Sequence, residues 1–163
     1  MTTTEKSPLK GKSVLVVDDE PDVLDTVADL LEMCEITTAA DFDAALNHLL
    51  NETFDIVVLD IMGVNGFELL EKSVLRGFET VMLTSHAVTP DALKKSIKLG
   101  AAAFIPKEYM KDIEEILENI LLGRGTQLWW RKNLGKESNY FEKEFGQGWK
   151  EKDAFFKEFE KSL

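Results

Sequence analysis

At 163 residues the chain has the length of one ordinary domain with room for an appendage, and it can bury a core without disulfide or metal staples. Hydrophobic residues at 44% and charged residues at 30% fit a water-facing globular protein, and the single cysteine, Cys34, excludes an internal disulfide and any four-cysteine zinc site. A net charge of −11 argues against DNA or other phosphate-backbone binding as the main activity. No apolar run approaches the roughly 18 residues of a membrane span. The first residues lack the apolar stretch of a signal peptide. A cytoplasmic, reducing location without membrane association is therefore expected.

Ser13 to Val17 (Ser-Val-Leu-Val-Val) reads as a buried strand that stops at Asp18-Asp19. Pro21 suits a first helical position, and Val23, Leu24, Val27, Leu30 and Leu31 repeat at helical spacing, which predicts a helix over about 21–33. Ile36 to Ala39 reads as a weaker strand. Asp41 is placed to cap a helix carrying Ala44, Ala45, Leu46, Leu49 and Leu50.

Phe54 to Leu59 is the second strong buried strand, and it too ends on an acid, Asp60. Gly63 and Asn65-Gly66 mark a loop. Asn65 with Glu68 three residues later resembles a capping box before Phe67, Leu69 and Leu70. Thr80 to Leu83 forms a third apolar strand before Thr84-Ser85-His86. Thr89-Pro90 opens a helix that Gly100 ends. Ala102 to Ile105 is a last short strand halted by Pro106-Lys107, and a helix is predicted from about Tyr109 to Leu122 before Gly123-Arg124-Gly125.

Five strands alternating with five helices imply an α/β, doubly wound, five-stranded parallel sheet with helices on both faces. Ligands of such sheets bind beyond the carboxyl ends of the strands. Asp18, Asp19, Asp60, Thr84 and Lys107 all sit at or just past such ends. Three carboxylates brought together call for a cation. Hard oxygen ligands suit Mg²⁺, which keeps waters free for a phosphate-bearing partner. An Asp beside such an ion can act as a nucleophile and form an aspartyl phosphate. The Lys107 ammonium and the Thr84 hydroxyl could then each take a phosphoryl oxygen. Taken singly, each of these residues has a plain alternative reading as a turn acid, a loop hydroxyl or a solvated lysine. Their joint placement at strand ends carries the site.

Val14-Leu-Val-Val-Asp-Asp-Glu-Pro21, Val57-Val-Leu-Asp-Ile-Met62, Val81-Met-Leu-Thr-Ser-His86 and Gly100-Ala-Ala-Ala-Phe-Ile-Pro-Lys107 resemble, in this order, the signatures of the response-regulator receiver domain. The resemblance runs from about Lys12 to Leu122 and implies a flavodoxin-like (βα)₅ fold in a two-component phosphorelay. It implies that Asp60 takes a phosphoryl group from a histidine kinase or phosphotransfer protein. It further implies that Asp19, Asp60 and the Met62 backbone carbonyl bind Mg²⁺ directly, with Asp18 acting through water. Thr84 and Lys107 would bind the phosphoryl group, and Phe104 would be an aromatic switch moving with Thr84. Met62 and His86 fall where the family flanks the approach of hydrolytic water, whereas His48 reads as a partnerless surface residue.

Three departures from the family stand out. The loop after Asp60 is short and lacks the usual Met-Pro pair, so a more open acceptor pocket is expected. Glu108, not proline, follows Lys107, which removes the usual basis for a cis bond there. The segment from Gly66 to Thr80 is short, so a truncated third helix is expected. Removal of Lys107, taken as a surface lysine, should barely alter stability.

The chain divides into a lead (1–11), the receiver segment (12–124) and a C-terminal extension (125–163). The segment through Arg124 carries net charge −12, whereas the extension carries net +1 and holds 9 of the 15 aromatics. Phe141 and Phe145 share one helical face and Phe155, Phe156 and Phe159 another, with Gly146 and Gly148 between them, which predicts two short helices. The extension is too short and too neutral for a typical DNA-binding effector. Its aromatic faces must be covered by the receiver itself, by a second copy in a homodimer, or by a partner. The leading expectation is a phosphoacceptor, not an enzyme with a separate substrate, signalling by conformational change and contact with an unidentified downstream protein. The rivals are a phosphorylation-independent interaction module and a phosphatase using Asp60. The phosphatase reading is weakened because Met62 stands where such enzymes place a second Asp.

Overall fold

The computed structural model describes residues 7–85, 89–123, 127–135 and 140–163. Five strands form one parallel sheet in the order β2-β1-β3-β4-β5: β1 (Ser13–Val17), β2 (Glu35–Ala39), β3 (Ile56–Asp60), β4 (Glu79–Thr84) and β5 (Ala103–Pro106). Five helices connect or follow them: α1 (Pro21–Leu30), α2 (Phe42–Asn51), α3 (Gly66–Leu75), α4 (Pro90–Lys98) and α5 (Ile113–Leu122). The doubly wound sheet expected from the alternation of apolar runs is the one observed. Every residue of β3 is buried, as befits a central strand covered on both faces.

Local chemistry explains most of the element ends. Pro21 and Pro90 occupy first helical turns. The Asp41 and Thr89 side chains accept from the amides of Ala44 (2.8 Å) and Ala92 (3.1 Å). Asn65 departs from the expected capping box. It sits in the left-handed region at φ 54° and its side chain caps nothing; instead its amide donates to Glu68 at 2.9 Å. The turn needs αL geometry there, which Asn tolerates, and that turns its side chain away from the helix amides. The third helix is not truncated: its ten residues match α1 and α2. The last receiver helix starts later than expected, because Lys107–Asp112 form a 3₁₀ turn ahead of α5. Among the described residues no peptide bond is cis.

Among its described residues the extension holds three helices rather than two, α6 (Leu128–Leu134), α7 (Glu142–Phe145) and α8 (Ala154–Ser162), with a 3₁₀ turn at Lys150–Lys152. It packs on the receiver. The Trp130 indole donates to the Ala101 carbonyl at 2.9 Å, Phe141 meets Phe104 edge-on, Tyr140 lies against Tyr109, and Asp153 pairs with Lys94 of α4. Trp129, Trp130, Phe141, Trp149 and Phe156 are buried and continuous with the core. This cover explains an asymmetry between the sheet's two edges. β2 has one buried residue of five, whereas all four residues of β5 are buried although it too is an edge strand. No helix among the described residues is long and apolar enough to cross a membrane.

The Trp130 contact gives a direct test. Trp130→Phe keeps an aromatic ring, though a smaller one, and leaves the Ala101 carbonyl without its indole donor. Equilibrium denaturation should show a loss of about 1–2 kcal/mol, and an unchanged midpoint would place this contact outside the stabilising set.

Candidate functional site

The site lies where the carboxyl ends of β1, β3, β4 and β5 converge. Parallel strands end on one side of the sheet, so acids that follow apolar runs far apart in sequence are carried to one rim. Asp18 follows β1 and is completely buried; its amide donates to the Ala39 carbonyl, and its Oδ1 accepts from the Glu20 amide at 2.9 Å. Asp60 ends β3, beside Leu83 in the register, and is 4% exposed. Lys107 enters from the far side, directly after β5.

The Lys107 ammonium answers three carboxylates at once. Its Nζ lies 2.9 Å from Asp18 Oδ2, 3.3 Å from Glu20 Oε1 and 3.7 Å from Asp60 Oδ1. Asp18 Oδ2 makes no aligned hydrogen bond, so this ion pair is what faces it. The Asp60 pKa is raised from the ordinary 3.8 to about 6, chiefly by burial and then by the Asp18 and Asp19 charges, with Lys107 opposing them. Asp18 is also shifted upward, chiefly by burial. For Lys107, burial disfavours the ammonium, but the Asp18 and Asp60 carboxylates outweigh it and raise its pKa.

Asp18, Asp19 and Glu20 offer carboxylate oxygens that lie within 4.8 Å of one another, a donor set that suits a hard cation. Asp60 stands outside that group and faces Lys107. Asp19 is exposed, and its carboxylate lies against Gly63 so closely that a Cβ there would collide with it. Gly63 also takes φ 83°, so the short loop after Asp60 needs glycine for both reasons. The Met62 side chain is exposed. Thr84 is buried at the end of β4, but its hydroxyl donates to the Ser85 carbonyl at 3.3 Å. Thr84, Ser85, Pro106, Lys107, Glu20, Glu108 and Glu144 line a cavity of about 240 Å³. Phe104 lies two residues before Pro106, fully buried against Phe141.

The sequence therefore locates the acids, Lys107 and Thr84 at one rim, but two of its expectations change. Lys107 is not a surface lysine; its side chain is only 14% exposed because three acids draw it inward. His48 is not partnerless, since it pairs with Glu52 and meets Phe54 edge-on. Glu20, Gly63 and Glu144 were missed. The run of three acids after β1 was the available signal for Glu20, whereas nothing local marks Glu144. His86 lies outside the described residues.

The profile of the response regulator receiver domain matches residues 14–121. The chain belongs to the response regulator receiver domain family. Two-component response regulator ARR10 of Arabidopsis thaliana is 32% identical over 141 residues, which cover 79% of this chain and 24% of that protein. Response regulator Rre1 of Synechocystis is 31% identical over 119 residues, 67% of this chain and 51% of that protein. The chain thus spans between about a quarter and a half of these relatives' length. A CheY-like receiver domain protein from Methanospirillum hungatei has a similar structure, with a TM-score of 0.63 and 30% identity, over 69% of this chain and 94% of that one. The receiver match stops before the extension, whose aromatic helices lie outside it.

Two outcomes follow for this receiver. A folded pKa above the unfolded one means the Asp60 contribution is fully present below pH 3.8 and is lost as pH rises through about 6. In metal-free buffer Asp60→Asn should therefore be more stable than wild type at pH 7, by about 2 kcal/mol, with the gap closing toward pH 4. Equal stability at pH 7 would contradict the burial account. Lys107→Ala leaves the buried Asp18 carboxylate without its counter-charge, and denaturation should show a loss of about 3 kcal/mol rather than a negligible change.

Proposed function

We propose that this receiver accepts a phosphoryl group on Asp60 from a histidine kinase or phosphotransfer protein and signals by a change of shape read through protein contact. The observation that carries this reading is a buried carboxylate, Asp60, ending the central strand 3.7 Å from a lysine ammonium, at the rim where further carboxylates can hold a cation. An Asp60 oxygen attacks phosphorus; the O–P bond forms as the bond to the donor's leaving atom breaks, and the bonding pair leaves with that atom. Asp60 has to be ionised to attack, and its pKa near 6 keeps it so at neutral pH.

Asp18, Asp19 and Asp60, with the Met62 carbonyl and with Glu20 within reach, would hold Mg²⁺; bound there, the ion neutralises charge on the transferring group. Lys107 is already tethered to Asp18 and Glu20 and needs only a small swing to meet an oxygen on Asp60. Thr84 at rest spends its hydroxyl on Ser85, so donating to a phosphoryl oxygen requires it to rotate. That rotation vacates space beside β5, where Phe104 serves as the aromatic that follows. The receiver promotes only its own phosphorylation and dephosphorylation and turns over no separate substrate.

Incubation with acetyl phosphate or phosphoramidate and Mg²⁺ should add one phosphoryl group by intact mass, and Asp60→Asn should add none. Labelling that persists in the variant would move the acceptor elsewhere. Millimolar Mg²⁺ should raise the melting temperature of the wild type by ligand linkage. Asp19→Ala should lose most of that gain. Gly63→Ala should lose it too, because the added Cβ displaces the Asp19 carboxylate.

A further inference from the structure

The extension touches the receiver beside the site rather than at a distance from it. Phe141 seals the Phe104 ring at a centroid separation of 6.1 Å and is itself 1% exposed. Three residues further on, Glu144 lines the same cavity as Thr84 and Lys107. Around this cavity stand three carboxylates, Glu20, Glu108 and Glu144, and among its described lining residues only Lys107 is cationic. Glu108 stands close enough to Glu144 to raise its pKa, so the extension meets the turn after β5 through two acids brought together. On the far side the extension is held by Asp153 on Lys94, and by Phe155 beneath the Lys94 and Lys98 ammonium groups.

The helices of the extension are 7, 4 and 9 residues long. Isolated helices shorter than about 12 residues are marginal in water. They exist here because Trp130, Phe141, Trp149 and Phe156 are buried on the receiver and on one another. Docking and folding of the extension are therefore one event, and whatever weakens the contact with β5 melts helix.

We propose that the C-terminal extension is the receiver's own output element: it is docked and helical on the α4–β5 face at rest, and loosened when Asp60 is phosphorylated. The inference rests on the phosphoacceptor reading above. A phosphoryl group brings roughly two negative charges to the rim. It draws Lys107 off Asp18 and Glu20, leaving the carboxylates around the cavity, Glu144 among them, without their cation. Any rotation of Thr84 that lets Phe104 move also withdraws the ring against which Phe141 packs. Both effects act on one end of α7. The face freed on β5 and the aromatics freed on the extension then become available to a partner together.

All three tryptophans, Trp129, Trp130 and Trp149, lie in the extension, so their emission reports it alone. The test uses the full chain with Mg²⁺, with and without phosphoramidate. Intact mass reads phosphorylation, and hydrogen exchange of residues 128–134 and 154–162 together with tryptophan emission reads docking. The expected result is one added phosphoryl group, a red shift, and exchange of those helices faster by about 5- to 100-fold, the usual range of coupling between two sites. Phe141→Ala should exchange fast before phosphorylation and change little on it. The milder Lys94→Gln, which releases only the Asp153 pair, should lie between. Phosphorylation by mass with unchanged or slower exchange would overturn the inference and leave the acceptor reading standing. Slower exchange with a doubled mass in solution would make the extension a dimer element instead. Absence of any added phosphoryl group would remove both. Resting exchange equal to wild type in both variants would show that the extension is not held by this face.

Discussion

The contact between the Lys107 ammonium and the carboxylates of Asp18, Glu20 and Asp60 is the interaction on which the site depends. A parallel sheet gathers its strand ends on one rim, and this chain puts acids on two of them. Without a cation there, burial and mutual repulsion would push the acids toward protonation, and an acid that is protonated cannot attack phosphorus. With Lys107 as the partial counter-charge, Asp60 sits near pH 6: high enough to register the strain of burial, low enough to be ionised in a neutral cell. The residual deficit of positive charge is the physical reason the proposed divalent cation would settle at the rim, where it would also ease the approach of an anionic phosphoryl group.

That the lysine proposed to meet the phosphoryl group also serves structure has consequences for how the fold responds. Lys107 belongs to the turn that follows β5, and β5 is the strand the extension covers. A change in what Lys107 pairs with is thus felt along the edge that would otherwise be open. β2, the opposite edge, keeps only one buried residue of five. The extension buries β5 chiefly with aromatic rings, which supply large contact area through few residues. Its polar anchors include an indole hydrogen bond to Ala101 and an ion pair to Lys94. Such a surface is stable while complete and sensitive to the loss of one ring.

Much of this was legible in the chain. Val14 to Val17 and Ile56 to Leu59 are uninterrupted apolar runs of strand length, and each stops on an acid, so fold class and rim chemistry emerge from the same few residues. What failed to show failed for physical reasons. Asn65 has the right neighbour for a capping box, but the turn it occupies demands αL geometry, and that is decided by the loop's path back to α3. Residues 109–112 fall inside the helix expected from about Tyr109, yet the chain leaves β5 through Pro106 and tightens into a 3₁₀ turn that brings Lys107 inward. The burial of Lys107 depends on acids some fifty to ninety positions away, and no local pattern reports a partner at that distance. Glu144 is the extreme case: it enters the cavity only because Phe141 anchors its helix on Phe104.

The chemistry proposed for the rim stands or falls on the charge state of one carboxylate. A side-chain carbon NMR titration of Asp60 in the full chain, in metal-free buffer and at saturating Mg²⁺, reads it directly. The account predicts a midpoint near pH 6 without metal and a large downward displacement with it. A midpoint near the ordinary 3.8 in both conditions would contradict it, because Asp60 would then be neither desolvated nor coupled to the acids and the lysine around it.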